Sequence, residues 1–393
     1  MSRVAIIGGG IGGLTTAIAL RQFAFDCEVF EQAPQLLDVG AAIAVWPNAT
    51  RVLAKLKLLE PVLERAGVMR EIRWLERDGS LINRVRLTCF DLETTPAIAL
   101  HRADLQRILV ESLPQDLVKL DHDLVDFRSR NDRIDLQFAN GKAVSCDFLI
   151  GADGIHSEVR KRVTDVPIPV YRGYLVWRGI SPVQPKELDS DVACELHDRG
   201  KRFGIGPVGH GRIGWWAAAN TESGTHSLNR GKETTAHRAT QSELLDLFAA
   251  WYPPVIELIE TTPPDSILRT EACDLPAQQP WGLGHVTLLG DAIHPTTPNL
   301  GQGGCMAIED ALVLTRCLAK YDLSTTALRT YEHVRYARTS AITDYSHLYG
   351  AVGHWQNHLA VELRNRGMTL LPERLVQRAM RLVFDYDASR VRV

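Results

Sequence analysis

Val4-Ala5-Ile6-Ile7-Gly8-Gly9-Gly10-Ile11-Gly12-Gly13 is the stretch that decides the fold class. Four apolar residues predict a buried strand almost at the N-terminus. Gly8, Gly10 and Gly13 then form a G-x-G-x-x-G turn, and Leu14 to Phe23 continues as a helix. Glycine is needed there for a tight turn, for close approach of a pyrophosphate, and for close packing of helix on strand. The next strand, Cys27-Glu28-Val29-Phe30, ends at Glu31, with Gln32 beside it. An acid at that point accepts from a ribose 2′-hydroxyl and favours an unphosphorylated adenosine ribose. A lone glycine fingerprint is weak. The strand before, the helix after and the acid at the next strand's end together argue against a mere βα turn. The segment therefore predicts an α/β fold of Rossmann type that binds a dinucleotide.

A second stretch points to the same ligand from far along the chain. Val286 to Leu289 reads as a short apolar strand ending in Gly290-Asp291. A loop with Pro295 and Pro298 follows, then Gly301-Gln302-Gly303-Gly304-Cys305 opening a helix over Met306 to Leu318. One carboxylate and a row of free helix N–H groups would thus face one ligand. The acid suits sugar hydroxyls, and the N–H groups suit negative charge. A nucleotide cofactor with a polyol chain and a reducible ring wants both. The plainer reading of Asp291 is a buried capping residue.

The third stretch is Asp147 to Arg160: a strand, the turn Gly151-Ala152-Asp153-Gly154, then Ser157 and Arg160. With these three marks in order, the chain resembles the FAD-dependent aromatic hydroxylases, the single-component flavoprotein monooxygenases. Gly40-Ala41-Ala42-Ile43, Trp46-Pro47-Asn48-Ala49, His101 to Leu105, Tyr331-Glu332, Arg335 and Arg338 extend the resemblance over nearly the whole chain. It implies FAD as resident cofactor, with NADH or NADPH as transient co-substrate and O2 as oxidant. It also implies oxygen transfer from a flavin C4a-hydroperoxide to an electron-rich ring. Gly12 and Gly13 would lie against the pyrophosphate, Glu31 on the adenosine ribose, and Arg102 in the phosphate–ribityl region. Asp291 would bind ribityl hydroxyls. The N–H groups from Gly301 through Gly303 and Gly304 to Cys305 would face the flavin pyrimidine carbonyl, and Leu124 would touch the adenine through its main chain. Asp153 is balanced between a structural and a pyrophosphate role. Pro298 would line the oxygen-activating pocket, and His294 reads as structural.

The substrate side rests on fewer residues. The chain is most similar to the urate and quinolone hydroxylase branch, with salicylate hydroxylases beyond it, through Trp46-Pro47-Asn48, Gly200-Lys201-Arg202 and Thr297 to Cys305. In the urate enzymes the arginine of that G-K-R segment holds the substrate, which Arg202 matches. The tyrosine expected twelve residues later is Gly214 here, which argues against urate. Ala44 and Asn299 stand where hydroxynicotinate hydroxylases carry histidines. Arg202 is thus either an anion anchor or an ordinary strand charge. Alternation puts Trp215 and Trp216 on opposite faces, with Trp216 on that of Arg202 if register holds. His197 and His210 are candidate general bases with plainer readings. The expected activity is hydroxylation of a small aromatic or heteroaromatic compound. The alternatives are an alkene epoxidase with the same flavin chemistry and a non-catalytic flavin-binding relative. A flavin halogenase is not supported, because W-x-W-x-I-P is absent.

Composition narrows the class. At 393 residues the chain is long enough for two full cores. Apolar residues make up 45% and charged residues 23%, an ordinary globular balance. A net charge of −3 without a basic tract argues against nucleic acid. Seven scattered cysteines without C-x-x-C predict reduced thiols in the cytoplasm and no metal site. A first strand at residue 4 leaves no room for a signal peptide, and no apolar run of about 18 residues would span a membrane. A monomer and a homodimer are both compatible with this.

The expected organisation is α/β locally and α+β overall. Residues 1–72, 100–166 and 267–345 form a discontinuous FAD-binding domain around a parallel sheet. Residues 73–99 and 167–266 form an antiparallel β-sheet substrate domain, with a boundary at Pro167 and Pro169 and a polar loop over 221–240. Residues 346–393 form a helical C-terminal segment, broken by Gly350, Gly353, Gly367 and Pro372.

Overall fold

The computed structural model describes residues 3–35, 41–130, 133–165, 168–221 and 241–393. Val39, Gly40, Pro167 and almost all of the expected polar loop lie outside the described residues.

Five parallel strands form the first sheet, in the order Val286–Leu288, Phe148–Gly151, Arg3–Ile7, Asp26–Phe30, Val118–Lys119. These strands are buried on both faces, hence their unbroken apolar runs. The first three named are neighbours. Gly290-Asp291, Ala152-Asp153 and Gly8-Gly9-Gly10 all lie just past their C-terminal ends. Segments 140 residues apart in the chain are thereby set side by side at the crevice where parallel sheets bind ligands.

The second large sheet has seven strands, in the order Leu268–Asp274, Val170–Ser181, Ile213–Asn220, Lys201–Pro207, Val192–Asp198, Glu71–Glu76, Leu81–Arg86. Two features differ from the sequence expectation. Leu268–Asp274, assigned above to the cofactor domain, hydrogen-bonds along Val170–Arg178 as an edge strand of this sheet. The hairpin Glu71–Arg86 joins the opposite edge, and its first strand runs parallel to Val192–Asp198. The sheet is therefore mixed, because the hairpin reaches it from an earlier part of the chain and not through a tight turn. Ala97–His101 pairs with Ala42–Val45 and Gly67–Met69 in a separate three-stranded sheet.

The helix at the glycine cluster runs Gly303–Tyr321, a turn longer at its start than the apolar pattern alone indicated. Thr325–Gly353 is continuous through Gly350. Gly350 is no break: a Cβ there would lie 2.3 Å from Asn299 Nδ2, so glycine lets this helix approach the loop before Gly301. Gly367 likewise sits inside a helix, His358–Thr369.

All seven cysteines are free. Burial pushes every thiol above its ordinary 9.0: Cys27, Cys146 and Cys305 to about 12, Cys194, Cys273 and Cys317 to about 11, and Cys89 upward too.

Candidate functional site

The crevice is built from glycine contacts. Gly8 has φ +110°, and a Cβ on it would meet the Ala152 carbonyl oxygen at 2.3 Å. A Cβ on Gly13 would meet the Gly8 carbonyl oxygen at 2.0 Å, and one on Gly12 would meet Leu289 at 2.8 Å and Ala307 at 3.1 Å. Gly10 has nothing within 4 Å of that direction. Gly8, Gly12 and Gly13 thus close the turn onto sheet and helix, while Gly10 leaves room for a ligand. The helix Ile11–Gln22 makes its first bond from the Leu14 N–H to the Gly10 carbonyl, so the N–H groups of residues 11–13 have no intrahelical partner. Gln106 Nε2 donates to the Gly9 carbonyl at 2.8 Å and braces the turn. Gly13→Ala should destabilise the protein by about 1–3 kcal/mol, as overpacking does. A urea midpoint and the flavin retained on purification check this.

Glu31 accepts from the Gly9 N–H at 2.6 Å and the Ala33 N–H at 2.9 Å, which fixes its carboxylate at the rim of the turn. Gln32 is exposed beside it, and Leu124 is buried at the start of its strand. Asp153 accepts from Ser157 Oγ at 2.6 Å and from the N–H groups of Glu158 and Val159 at 2.8 and 3.1 Å. Its carboxylate caps the helix Glu158–Val163, the structural part of the role the sequence suggested.

Asp291 differs from Asp153. It keeps an exposed surface, yet protein surrounds it on the wider scale, as at the floor of a cleft. Desolvation raises its carboxyl, with His294 and Arg102 opposing. It accepts no hydrogen bond from the described residues, so the capping reading does not hold. Gly303 lies against it: a Cβ there would be 3.6 Å from Asp291 Oδ1. Gly301 has φ +60° and turns the chain into the helix. The first helical bond, Met306 N–H to the Gln302 carbonyl, leaves the N–H groups of Gly303, Gly304 and Cys305 without intrahelical acceptors. Cys305 contributes only that N–H, because its thiol is buried against the Trp46 N–H and the Ala44 carbonyl. His294, read as structural, finds its partner in Asp310, at 2.6 Å from Nε2. Arg102 is half-buried at the start of the helix Arg102–Glu111.

The seven-stranded sheet meets this cleft through Arg202 and Tyr174, which both bond Asn299. Arg202 is fully buried, so it is no ordinary surface charge. Its Nε donates to Glu195 Oε1 at 2.8 Å, its Nη2 bonds the same oxygen, and its Nη1 donates to Asn299 Oδ1 at 2.7 Å. Asn299 Nδ2 in turn lies 2.9 Å from Tyr174 Oη and from the Ser346 carbonyl. Arg202 therefore latches the loop carrying the exposed Pro298 to the sheet, a contact the sequence did not reveal. Trp216 does share its face: the indole lies 5.0 Å from the guanidinium, with Tyr349 also at 5.0 Å. Trp215 is on the other face, buried against Phe203. Gly214 could not carry the tyrosine of the urate enzymes, because a Cβ there would lie 2.4 Å from that of Ala42. Counting residues along the strand picked Gly214, whereas the aromatic that reaches Arg202 is Trp216.

Neither histidine named as a base is placed to act as one. His197 is buried, and desolvation takes it down to about 3. Its Nε2 is 3.3 Å from Glu195 Oε1 without hydrogen-bond alignment. His210 sits on an exposed turn with φ +55°.

An open glycine turn, a carboxylate without a donor among the described residues and a helix N-terminus with unbonded N–H groups fit a dinucleotide with a polyol chain. Comparison with known proteins agrees. The FAD binding domain family model matches residues 1–346. Aurachin C monooxygenase/isomerase of Stigmatella aurantiaca is 36% identical over 94% of both chains. The 3-amino-4-hydroxybenzoate 2-monooxygenase of Streptomyces cremeus is 36% identical over 86% of this chain and 84% of its own. The crystal structure of Klebsiella pneumoniae HpxO complexed with FAD and uric acid superimposes with a TM-score of 0.88 at 29% identity, covering 98% of this chain and 96% of that one. Fold, cleft and relatives together show that the chain belongs to the FAD binding domain family, among the FAD-dependent aromatic monooxygenases.

Proposed function

We propose that the protein takes reducing equivalents from NADH or NADPH and places one atom of O2 on a small aromatic or heteroaromatic ring. The observation that carries this is the convergence of three elements on one cleft: the glycine turn, Asp291 and the Gly303–Cys305 N–H groups. The sheet face bearing Trp216 is latched to the cleft through Arg202 and Asn299.

FAD, when bound, supplies the two-electron carrier and the oxygen-activating ring. This chain's residues supply its placement. Glu31 would accept from the adenosine ribose, and Asp291 from the polyol hydroxyls. The helix N-terminus at Gly303–Cys305 would hold negative charge on the ring's carbonyl edge, where the dipole and free N–H groups act together. Arg102 would lie near the phosphates, and Gly10 would allow the pyrophosphate close. Trp216 gives the substrate a flat aromatic wall, and the buried Tyr174, Val176 and Ala218 beside it help keep water out. Buried reduced thiols and a nicotinamide supply suit a cytoplasmic setting.

Two of the three relatives carry an aromatic or heteroaromatic compound in their names, which favours ring oxidation over an alkene epoxidase. The test is stimulation of NADH and NADPH oxidation in the FAD-loaded protein by a panel of phenols, purines and quinolones, with oxygen uptake and oxygenated product followed together. If neither nicotinamide reduces the flavin with any panel member, the reading fails.

A further inference from the structure

One face of the seven-stranded sheet looks toward the cleft, and its fully buried cation, Arg202, has a carboxylate partner on the same face. Register puts Glu195 beside Gly204, Arg202 beside Ala218 and Trp216 beside Gly204, so these side chains share that face. Every nitrogen of Arg202 already has a partner: Nε and Nη2 on Glu195, Nη1 on Asn299. The rings of Trp216 and Tyr349 cover the guanidinium. The second oxygen of Glu195 accepts from Tyr349 Oη at 2.9 Å, and Trp74 Nε1 donates to that hydroxyl at 3.0 Å. Glu195 is thus a fixed partner of Arg202.

The neighbouring histidines add no positive charge. Burial takes His197 down to about 3 and His354 down to about 4, so both are neutral near pH 7. Arg364 donates to the Gly353 carbonyl at 3.0 Å and is joined to Glu76 only through Asn365, whose Oδ1 accepts from Arg364 Nε at 2.9 Å and whose Nδ2 donates to Glu76 at 2.7 Å. Arg178, directly opposite Trp216 in the sheet register, donates to Thr270 Oγ1 at 3.1 Å.

We propose that Glu195 sets the charge of the substrate: by neutralising Arg202 it fits the surface over Trp216 to an uncharged ring, such as a quinolone or a phenol, and not to a carboxylate. The proposal rests on the monooxygenase reading above. A charged ligand entering a site whose cation already has a buried partner gives up its water without a new counter-charge. Glu195→Gln removes the partner's charge and leaves Arg202 as an unbalanced buried cation, which recruits an anion.

The test uses the full-length FAD-loaded protein, with ligand binding followed by perturbation of the flavin absorption band. The probes are 4-hydroxy-2-methylquinoline, neutral at pH 7.5, and salicylate. The wild type should bind the quinoline at least tenfold more tightly than salicylate. Glu195→Gln should tighten salicylate at least tenfold. Equal binding of the two probes by the wild type, binding of neither, or an unchanged salicylate affinity in flavin-loaded Glu195→Gln overturns the proposal. If that variant does not hold flavin, the wild-type comparison alone decides. Failure of charge selection shows itself in a protein that still oxidises NAD(P)H. Failure of the monooxygenase reading shows itself in one that does not, whatever it binds.

Discussion

Arg335→Ala should unfold at a much lower denaturant concentration than the wild type, with a loss of about 3–5 kcal/mol, the range for stranding a buried ion. The Arg335 side chain is fully buried between two buried carboxylates. Its Nε donates to Asp310 Oδ1 at 2.6 Å and its Nη2 to Glu309 Oε2 at 2.7 Å. Removing the cation leaves two carboxylates in the core, Glu309 with Arg338 at 3.2 Å and Asn48 Nδ2 at 2.6 Å, and Asp310 with His294 at 2.6 Å. The effect reaches the cofactor cleft, because Asp310 Oδ2 accepts from the Gly290 N–H at 3.0 Å and so fixes the turn that presents Asp291.

The same group gives the variant a pH signature. Burial alone would raise the Asp310 carboxyl, but His294 and Arg335 outweigh burial and bring it from its ordinary 3.8 to about 2. A depressed carboxyl adds stability that is complete above its unfolded value and lost as pH falls through its folded one. That contribution therefore disappears between about pH 4 and 2 in the wild type. In Arg335→Ala the Asp310 carboxyl is less depressed, so this contribution is smaller and stability should fall less steeply between those pH values. An unchanged urea midpoint, or an acid limb superimposable on the wild type's, would contradict this account.

Asp291→Ala should yield a folded protein that purifies with little flavin. Its carboxylate accepts no hydrogen bond from the described residues and lies against Gly303, at the start of the long helix. Removing it strands no protein donor, so the unfolding free energy of flavin-free protein should change by less than about 0.5 kcal/mol. Each charge-assisted bond to a cofactor hydroxyl is worth about 1.5–3 kcal/mol, so FAD affinity should fall by a factor on the order of 10 to 100. The ratio of flavin to protein absorbance after dialysis reads this directly. Full yellow colour in the variant would refute the role. The contrast with Arg335→Ala is diagnostic, since one loses cofactor without stability and the other loses both.

What was legible in the sequence was local. Gly8 to Gly13, Glu31 and Gly290-Asp291 carry their meaning within a strand, a turn and a helix start, and the parallel sheet follows from that alternation. Arg202 was legible as a position but not as a contact. Its partner Glu195 lies seven residues back across a hairpin, and its other partners, Asn299 and Tyr349, come from segments about 100 and 150 residues away. No spacing rule joins those segments; only the packing of two sheets and a helix does. Asp153 and Asp291 looked equivalent in sequence, each in a turn after a strand and beside glycine. Three donors from a neighbouring helix separate them. His294 lacked a visible partner because Asp310 is two turns into the following helix, on the face turned back toward the loop.

The burial of the cysteines has a consequence for an enzyme of this chemistry. Uncoupled turnover releases hydrogen peroxide, and the form of cysteine that peroxide attacks is the thiolate. With every sulfhydryl held protonated by its surroundings, the catalyst offers its own oxidising by-product few nucleophiles, Cys305 beside the cofactor loop included. Native protein should therefore react slowly with iodoacetamide at pH 8 and quickly in urea, and rapid native labelling would show that this self-protection is missing.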